Sequence, residues 1–416
     1  MENSATTQEV ISSPSAELLT GWKVLLGSTV GIAIGVISMP VVALSIFMSG
    51  FEHDFGWTRT EVSGAFTALI VVLLFTAPIV GLICDRMSAR NVVLFSHLGL
   101  GAAFLLFSRM GGDFTLFLIG FGLMALLASG ASTVAFARII SANFVQARGM
   151  ALGVGMSGFG ITSLLMPLLL VPFVAQNGWR NGFIVLGVTV IATAPLVYAL
   201  LASATRSPKH QPEIKVGAEG FAFSEAIRSP TFWIMGVAFA LISLGISGIN
   251  VHFVSMMTDV GLSPTRAGAL ASAIGASTIV IRLVTGWLID RFDAQYVATG
   301  MLVAAAVCLF VFAIGGATFA LAGAIAYGLA FGSELDIVGY LTARRFGMRA
   351  YGRIYGTLYA AILFGSALSP ILYGLTFQRT GEYLLALQGA ALCMAVAAVL
   401  IFFMPRTVKS QIKVLA

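Results

Sequence analysis

The sequence has 416 residues, of which 58% are hydrophobic and only 10% are charged, whereas soluble domains carry about 25% charged residues. This composition excludes a soluble enzyme, a disordered chain and a secreted disulfide scaffold, and it predicts an all-α polytopic membrane protein. The net charge of +6 could indicate nucleic acid as a partner, but the distribution of basic residues described below assigns it to orientation in the membrane.

The N-terminal residues 1–21 are polar and lack the features of a cleaved signal peptide, so we predict a cytoplasmic tail there. Apolar stretches long enough to cross a bilayer, which takes about 20 residues, fill most of the remaining chain. In the first half they lie at 24–51, 62–84, 91–108, 114–137, 149–179 and 181–205. In the second half they lie at 229–258, 267–289, 294–343, 354–378 and 383–405. The stretch 294–343 is long enough for two helices with a turn at Gly315 and Gly316, so we predict twelve transmembrane helices, numbered here as spans one to twelve.

A polar stretch separates spans six and seven and divides the chain into two halves. We predict a six-helix bundle at 22–204, a cytoplasmic linker at 205–230, a second six-helix bundle at 231–405 and a cytoplasmic tail at 406–416. Internal repeats support this division. The hexapeptide that begins at Gly81 and ends in Asp85 and Arg86 recurs 205 residues later as the one that begins at Gly286 and ends in Asp290 and Arg291.

A second repeat lies at the start of spans five and eleven, where Gly149 and Gly153 recur as Gly352 and Gly356 at an offset of 203. Basic residues orient the spans, because Lys and Arg concentrate on the cytoplasmic side. With the N-terminus inside, 17 of the 23 basic residues lie on the cytoplasmic side, five lie on the other side, and Arg282 lies within a span. Both termini are therefore predicted to be cytoplasmic.

Three ionisable side chains interrupt the spans: Arg282, Glu334 and Asp336. Charges inside the membrane are costly and therefore indicate function. On helical spacing Arg282 and Asp336 share their faces with small or polar residues, which suits a water-filled cavity; these are Gly275, Thr278, Thr285 and Gly286 for the arginine, and Gly332, Ser333, Gly339 and Tyr340 for the aspartate. Glu334 lies on a different face, where we expect it to pack against another helix, hydrogen-bonded or protonated.

A buried arginine needs an anion, and its planar guanidinium matches a carboxylate with two parallel hydrogen bonds. One hypothesis is that Arg282 binds a substrate carboxylate, with Asn250, Thr278 and Tyr340 as further substrate-binding candidates. The alternative is an internal ion pair with Asp336 or Glu334 that only holds helices together. The two are compatible if the substrate competes for the arginine.

Proton coupling would need a titratable group near that site. Asp336 is the first candidate, and Glu334 and His252 are the others. For His252 and Asn250, both toward the outer end of span seven, the alternative is a structural role at a helix end or interface.

The repeated loops suggest a gate at the cytoplasmic mouth. Charge pairs there could hold the two halves together, and the candidates are Asp85, Arg86, Arg90, Asp290 and Arg291. The alternative is that these charges only fix the topology. The sequence contains no Walker motif, zinc-binding spacing, nucleophile elbow or Rossmann glycine pattern, so we expect no enzyme activity, catalytic residue, cofactor or metal.

The repeated Gly-x-x-x-Asp-Arg loops, the linker and the twelve spans resemble the major facilitator superfamily over essentially the whole chain. That resemblance implies two pseudo-symmetric six-helix bundles that expose a central cavity to each side in turn. Span eight, from Arg282 to Arg291, is similar to the Arg-x-x-x-Gly-x-x-x-Asp-Arg pattern of the monocarboxylate transporters and the oxalate/formate antiporters. So are Phe55-Gly-Trp-Thr-Arg59 and Arg148-Gly-Met-Ala-Leu-Gly153.

In that group the span-eight arginine binds the substrate carboxylate, which implies the same role for Arg282. The sequence departs from the group in having Thr278 where animal monocarboxylate transporters have an aspartate, and no lysine in 24–51 or 354–378. One fixed positive charge favours a singly charged carboxylate over oxalate.

The expectation is therefore a secondary transporter that carries a small organic monocarboxylate with a proton by a rocker-switch cycle, working as a monomer in the lipid bilayer of a bacterial inner membrane. The alternative is an efflux or exchange antiporter for an amphipathic or aromatic organic anion. A membrane hydrolase that pairs Glu334 with Asp336 is disfavoured, because residues two apart on a helix diverge.

Overall fold

The computed structural model describes residues 13–205, 220–259, 261–262 and 264–405. Much of the predicted linker and the whole C-terminal tail therefore lie outside the described residues. Within them the protein is helical, with short 3₁₀ turns and one isolated β-bridge between Gly220 and Gly347.

The helices of the first half are Pro14–Thr20, Trp22–Ala33, Met39–Phe55, Arg59–Arg86, Ala89–Phe107, Phe114–Ala128, Thr133–Asn143, Arg148–Met156 and Gly158–Leu201. Those of the second half are Phe223–Ala226, Pro230–Asp259, Pro264–Arg291, Ala294–Gly315, Ala320–Phe346, Tyr351–Thr380 and Leu384–Phe402. The 3₁₀ turns are Ser129–Ala131, Ala202–Thr205 and Gly316–Phe319.

These helices make twelve crossings. Nine stretches of the described chain are long and apolar enough to span a membrane, and two of them, Arg148–Leu201 and Ala294–Phe346, exceed 50 residues and hold two crossings each. The short helix Trp22–Ala33 and the apolar part of the next helix, Met39–Met48, together form span one. Large apolar side chains such as Leu106 and Phe403 are more than 70% exposed, as lipid-facing positions require.

Glycines make the tight turns between spans within the long stretches. Gly178 separates spans five and six with φ 79° and ψ 161°, a conformation that only glycine adopts at low cost. Spans nine and ten meet at Gly315 and Gly316, as the sequence predicts.

Spans one and four are broken in the middle, although each is one continuous apolar stretch in the sequence. Residues 34–38 and 129–132 interrupt them, and the two interruptions pack together, with the Val36 N–H donating to the Ala131 carbonyl at 3.4 Å. The Ser38 hydroxyl donates to the Ile32 carbonyl at 2.6 Å. Irregular backbone at this depth is tolerated where it is buried in protein or lines a cavity.

The described parts of the predicted N-terminal tail and linker dock on the same end of the molecule. The Glu17 carboxylate, in helix Pro14–Thr20, accepts hydrogen bonds from the N–H groups of Val145, Gln146 and Ala147 at 2.7, 3.0 and 2.7 Å. In the second half the Phe221 N–H donates to the Phe346 carbonyl at 2.8 Å. The residues just before spans one and seven thus each dock beside the loop that leads into span five or span eleven.

Candidate functional site

A cavity of about 130 Å³ lies between the two halves of the protein. Both halves contribute to its wall, which is mostly apolar. Its polar lining residues are Ser38, Ser132 and Thr133 from the first half and Ser247, Asn250, Arg282, Glu334, Tyr359 and Ser366 from the second half. A dry cavity of about 150 Å³ holds a benzene molecule, so this one suits a small organic molecule.

Arg282 and Asp336 form a buried ion pair at the edge of this cavity. Arg282 Nη1 lies 3.0 Å from Asp336 Oδ1, and the two side chains are only 2% and 0% exposed. Arg282 lines the cavity, whereas Asp336 does not. The other aspartate oxygen, Oδ2, is buried without a hydrogen-bond partner, so the arginine is held by a single carboxylate oxygen.

Glu334 lines the cavity and is held by the neighbouring span seven. The Ser243 hydroxyl donates to Glu334 Oε1 at 2.6 Å, while Oε2 is buried without a partner. The contact of Glu334 with another helix is as predicted. The prediction that Asp336 faces the cavity was wrong, because Glu334 lines the cavity and Asp336 does not.

The error has a physical reason in the packing of span ten. Its small residues let it approach span eight closely: Gly328 packs against Ser277, and Gly332 packs against the backbone of Thr278. Small residues serve this purpose at helix interfaces in membranes, so the small face of span ten is a packing face and carries Asp336 into it.

Two further substrate-binding candidates do not lie in the cavity wall. The Thr278 hydroxyl donates to the Ile274 carbonyl of its own helix at 2.8 Å. Tyr340 lies near the end of span ten, with the Arg344 guanidinium 5.9 Å from its ring. Neither residue lines the cavity.

The two candidates on span seven also differ from each other. Asn250 lines the cavity. The His252 ring instead bridges to neighbouring elements, with Nε2 at 3.1 Å from the Pro370 carbonyl and Nδ1 at 3.3 Å from the Tyr383 hydroxyl. Both ring nitrogens therefore have partners in the protein, as an interface histidine requires.

The two halves are joined at one end of the molecule, which we call the latch end, by the aspartates of the repeated loops. Asp85 of span two accepts hydrogen bonds from the N–H groups of Gly352 and Arg353 at the start of span eleven, at 2.9 and 2.8 Å. Asp290 of span eight accepts from Gly149 and Met150 at the start of span five, at 2.6 and 2.8 Å. Each carboxylate thus caps the positive N-terminus of a helix in the other half.

The glycine of each repeated loop allows this approach. A Cβ atom on Gly81 would lie 1.9 Å from the Gly352 carbonyl oxygen, and one on Gly286 would lie 2.6 Å from the Gly149 carbonyl oxygen. The two sequence repeats therefore meet each other across the interface, loop against helix start. Asp85 also forms an ion pair with Arg138 Nε at 2.8 Å.

The three arginines among the gating candidates do not bridge the halves in the contacts that the structure describes. Arg86 is exposed. The Arg90 guanidinium stacks on Tyr198 of its own half at 3.5 Å, and that of Arg291 stacks on Trp287 of its own helix at 4.2 Å. The aspartates alone form the two symmetric contacts.

Several polar residues at the cavity were not singled out from the sequence. Ser243 positions Glu334, and Ser132 and Thr133 lie where span four is broken. Tyr359 ends a row of three stacked tyrosines with Tyr351 and Tyr355, with ring centroids 5.7 and 6.2 Å apart. The run of small and hydroxyl residues from Ser129 to Thr133 is a sequence feature that would have predicted the break, because Ser and Thr favour helix caps over helix interiors.

No three His, Cys, Asp or Glu side chains among the described residues converge on a possible metal site. The site is instead a cluster of one arginine and two carboxyl groups at a mostly apolar cavity. The latches close this cavity at one end. Two of its lining residues, Asn250 and Val251, lie away from the latches and are exposed.

Known proteins resemble this chain along most of its length. It is 26% identical to monocarboxylate transporter 13 of Rattus norvegicus over 372 residues, which cover 87% of this chain and 84% of the relative. It is 23% identical to the MFS-type transporter YhjX of Escherichia coli over 366 residues, which cover 85% of this chain and 88% of the relative.

Among solved structures, the E. coli fucose:proton symporter FucP superposes with a TM-score of 0.73 at 14% identity, covering 94% of this chain and 99% of that one. The sequence model of the Major Facilitator Superfamily matches residues 26–337 and 235–414. The chain therefore belongs to the Major Facilitator Superfamily and is a multi-pass membrane transporter with the twelve-helix fold of that family.

Proposed function

We propose that the protein is a secondary active transporter of a small organic monocarboxylate, which it carries together with a proton. The observation that carries this proposal is Arg282 in the cavity wall, whose guanidinium is paired with one oxygen of Asp336 at 3.0 Å. A substrate carboxylate can compete for this arginine, since the guanidinium offers two parallel donors. The similarity to a protein named monocarboxylate transporter 13 supports the same substrate class.

The charges of the cavity favour coupling to a proton. Arg282 faces two carboxyl groups, Asp336 and Glu334, so the cluster has a net negative charge when both are ionised, and it would repel an anion. Protonation of one carboxyl makes the cluster neutral, and an anion then enters with a proton at little electrostatic cost. Glu334 is the better proton carrier, because it lines the cavity and Asp336 does not.

The cycle that we propose is a rocker switch. The cavity as described is closed at the latch end by Asp85 and Asp290. We propose that this end faces the cytoplasm, as the distribution of basic residues predicts, and that the membrane is a bacterial inner membrane. Substrate and proton enter from the other side. Separation of the two latches then opens the cavity to the cytoplasm.

Transport by purified protein in proteoliposomes tests whether Arg282 binds the substrate. We expect Arg282→Ala to abolish uptake of radiolabelled monocarboxylates driven by an inward proton gradient, while Arg379→Ala, which removes an exposed arginine at the end of span eleven, leaves uptake near the wild-type rate. Unchanged uptake and affinity in Arg282→Ala would refute the proposal.

A second variant distinguishes loss of transport from misfolding. Removing Arg282 alone leaves Asp336 as an uncompensated buried charge, and breaking such a pair costs roughly 3–5 kcal/mol. In Arg282→Ala/Asp336→Ala neither charge is present, so we expect a folded protein, as judged by size-exclusion chromatography and thermal melting, that still does not transport. Uptake restored by the double variant would show that Arg282 only neutralises Asp336.

An aromatic anion is a second candidate substrate, because five aromatic side chains line the cavity: Phe66, Phe159, Tyr327, Phe331 and Tyr359. Benzoate and acetate distinguish the candidates as competitors of uptake. Stronger competition by benzoate would favour an aromatic substrate. The direction of substrate movement is a separate test, since outward rather than inward movement against a gradient would favour the efflux or exchange alternative.

A further inference from the structure

The second helix of span four begins inside the membrane, at the wall of the cavity. It runs from Thr133 to Asn143, away from the cavity, and its Arg138 pairs with Asp85 at the latch end. The first N–H groups of an α-helix have no partner within the helix, and they carry about half a positive charge. The positive end of this 11-residue helix therefore faces the cavity from the half that lacks Arg282.

Ser132 stands at the N-cap position of this helix but does not cap it. Ser132 has the extended conformation of an N-cap residue, with φ −99° and ψ 170°, but its side chain accepts no hydrogen bond from the helix. Its hydroxyl is buried without any hydrogen-bond partner, although Ser132 is only 4% exposed and lines the cavity. Leaving a buried polar group unpaired is unfavourable, and a hydrogen bond to a ligand oxygen would remove that cost.

Neighbouring spans build this break independently of any ligand. The Gly130 N–H donates to the Ser96 hydroxyl of span three at 3.1 Å, and the Ala131 carbonyl accepts from Val36 of span one. The helix start is thus a fixed feature of the first half. Discontinuous helices in other transporters present their N-termini to anionic substrate groups in the same way.

The internal repeat relates the start of this helix to a position of opposite charge in the second half. Thr133, the first residue of the helix, lies 203 residues before Asp336, which is the offset that relates the glycines of spans five and eleven. In the second half the equivalent position carries the negative charge that pairs with Arg282. In the first half it carries the positive end of a helix, and no acidic residue of that half lines the cavity.

We propose that the N-terminus of helix Thr133–Asn143, together with the Ser132 hydroxyl, is a second binding subsite for the substrate carboxylate. This inference rests on the proposed function and names the contact that the first half makes. A carboxylate that fills a cavity of about 130 Å³ contacts Arg282 on one side and the helix start on the other. The anion then connects the two halves, so its binding favours closure of the cavity around it.

An isosteric pair of substitutions tests the subsite. Ser132→Asp places a permanent carboxylate on the helix start, where it caps the helix and repels the substrate anion, while Ser132→Asn gives a cap of the same shape without the charge. The probe is whichever of acetate, pyruvate, lactate and benzoate most stabilises the wild-type protein in a thermal melting screen. Because both variants cap the helix and remove the Ser132 hydroxyl, we expect both to bind it more weakly than wild type, and Ser132→Asp to bind it at least about tenfold more weakly than Ser132→Asn. Equal binding by the two variants would overturn the subsite.

A second pair keeps the test decisive if Ser132→Asp does not fold. Thr133→Pro removes a backbone donor at the first helical position, where proline is well tolerated, and the extended Ser132 already has the conformation that precedes a proline. Thr133→Val retains the N–H. We expect the proline variant to bind the probe at least about fivefold more weakly than the valine variant, and equal affinities would contradict the subsite.

Failure of this inference differs from failure of the proposed function. If Arg282→Ala abolishes binding and both pairs show no difference, the subsite is wrong and the proposed function stands. If none of the four carboxylates binds the wild-type protein, both are wrong.

Discussion

Asp336 holds Arg282 through one oxygen and leaves the other without a partner. A carboxylate bound in this way orients the guanidinium without saturating its donors. Glu334 differs, because its partner is the neutral Ser243 hydroxyl and its unpaired oxygen belongs to a residue of the cavity wall. The two acidic residues are only two positions apart, yet one suits the positioning of the arginine and the other suits the binding of a proton.

Glu334→Gln tests this division of roles. Glutamine keeps the shape and a hydrogen bond with Ser243 but cannot release a proton, so we expect exchange of labelled for unlabelled substrate to continue at a rate within about threefold of wild type, while accumulation driven by a proton gradient is lost. Both are measured in the same proteoliposomes, with and without the gradient. Accumulation that survives in Glu334→Gln and fails in Asp336→Asn would assign the proton to Asp336 instead.

At the scale of single elements, Asp54 ties the end of span one to the turn between spans five and six. Its carboxylate receives hydrogen bonds from Trp179 Nε1 at 3.0 Å and Arg180 Nη1 at 2.7 Å and contacts His53 Nδ1 at 3.0 Å. Hydrogen bonds from His53, Arg180 and Trp179 lower the pKa of Asp54 from 3.8 to about 2. A carboxyl whose pKa falls on folding contributes stability above its unfolded pKa and loses that contribution as the pH falls through its folded pKa.

We therefore expect Asp54→Asn to melt at a lower temperature than wild type by a constant margin between about pH 7 and pH 5, with the margin shrinking as the pH falls from about 4 toward 2. Thermal melting of the purified protein across this range measures it. Glu52→Gln, two residues away and exposed, is the matched control and should show no such pattern. A margin for Asp54→Asn that does not change with pH would show that its carboxylate charge is not what stabilises the turn.

The elements also show where sequence and structure agree. Twelve crossings and the turn at Gly315 and Gly316 follow from apolar length and glycine. The breaks in spans one and four do not, because an apolar stretch has the same hydropathy whether its helix is continuous or interrupted. Helical phase correctly separated Glu334 from Asp336 but not cavity from interface, since small residues such as Gly332 serve both environments and only the position of span eight decides between them.

At the scale of the whole molecule, the two copies of the repeated loop form two latches of the same chemistry between the halves. Each latch is a carboxylate that bridges two backbone N–H groups at a helix start in the other half. Contacts of this kind are worth up to about 2 kcal/mol when partly buried. Because they lie at separate places on one interface, they oppose the same opening motion together, and their free energies should add.

Neutralising the latches should therefore shift the protein toward the state that is open at the latch end. We expect Asp85→Asn and Asp290→Asn each to raise the open population relative to the closed one by about tenfold, and the double variant to raise it by roughly the product of the two effects. Spin labels at Met87→Cys and Phe292→Cys, two exposed positions on opposite halves, report opening as a longer distance by pulsed electron resonance when the three native cysteines are replaced by serine. Asp113→Asn is the control, because Asp113 caps only its own helix through Leu116 and should leave the distances unchanged. Distances in the double variant that match those of the wild type would mean that packing between the halves, and not the two aspartates, keeps the latch end closed.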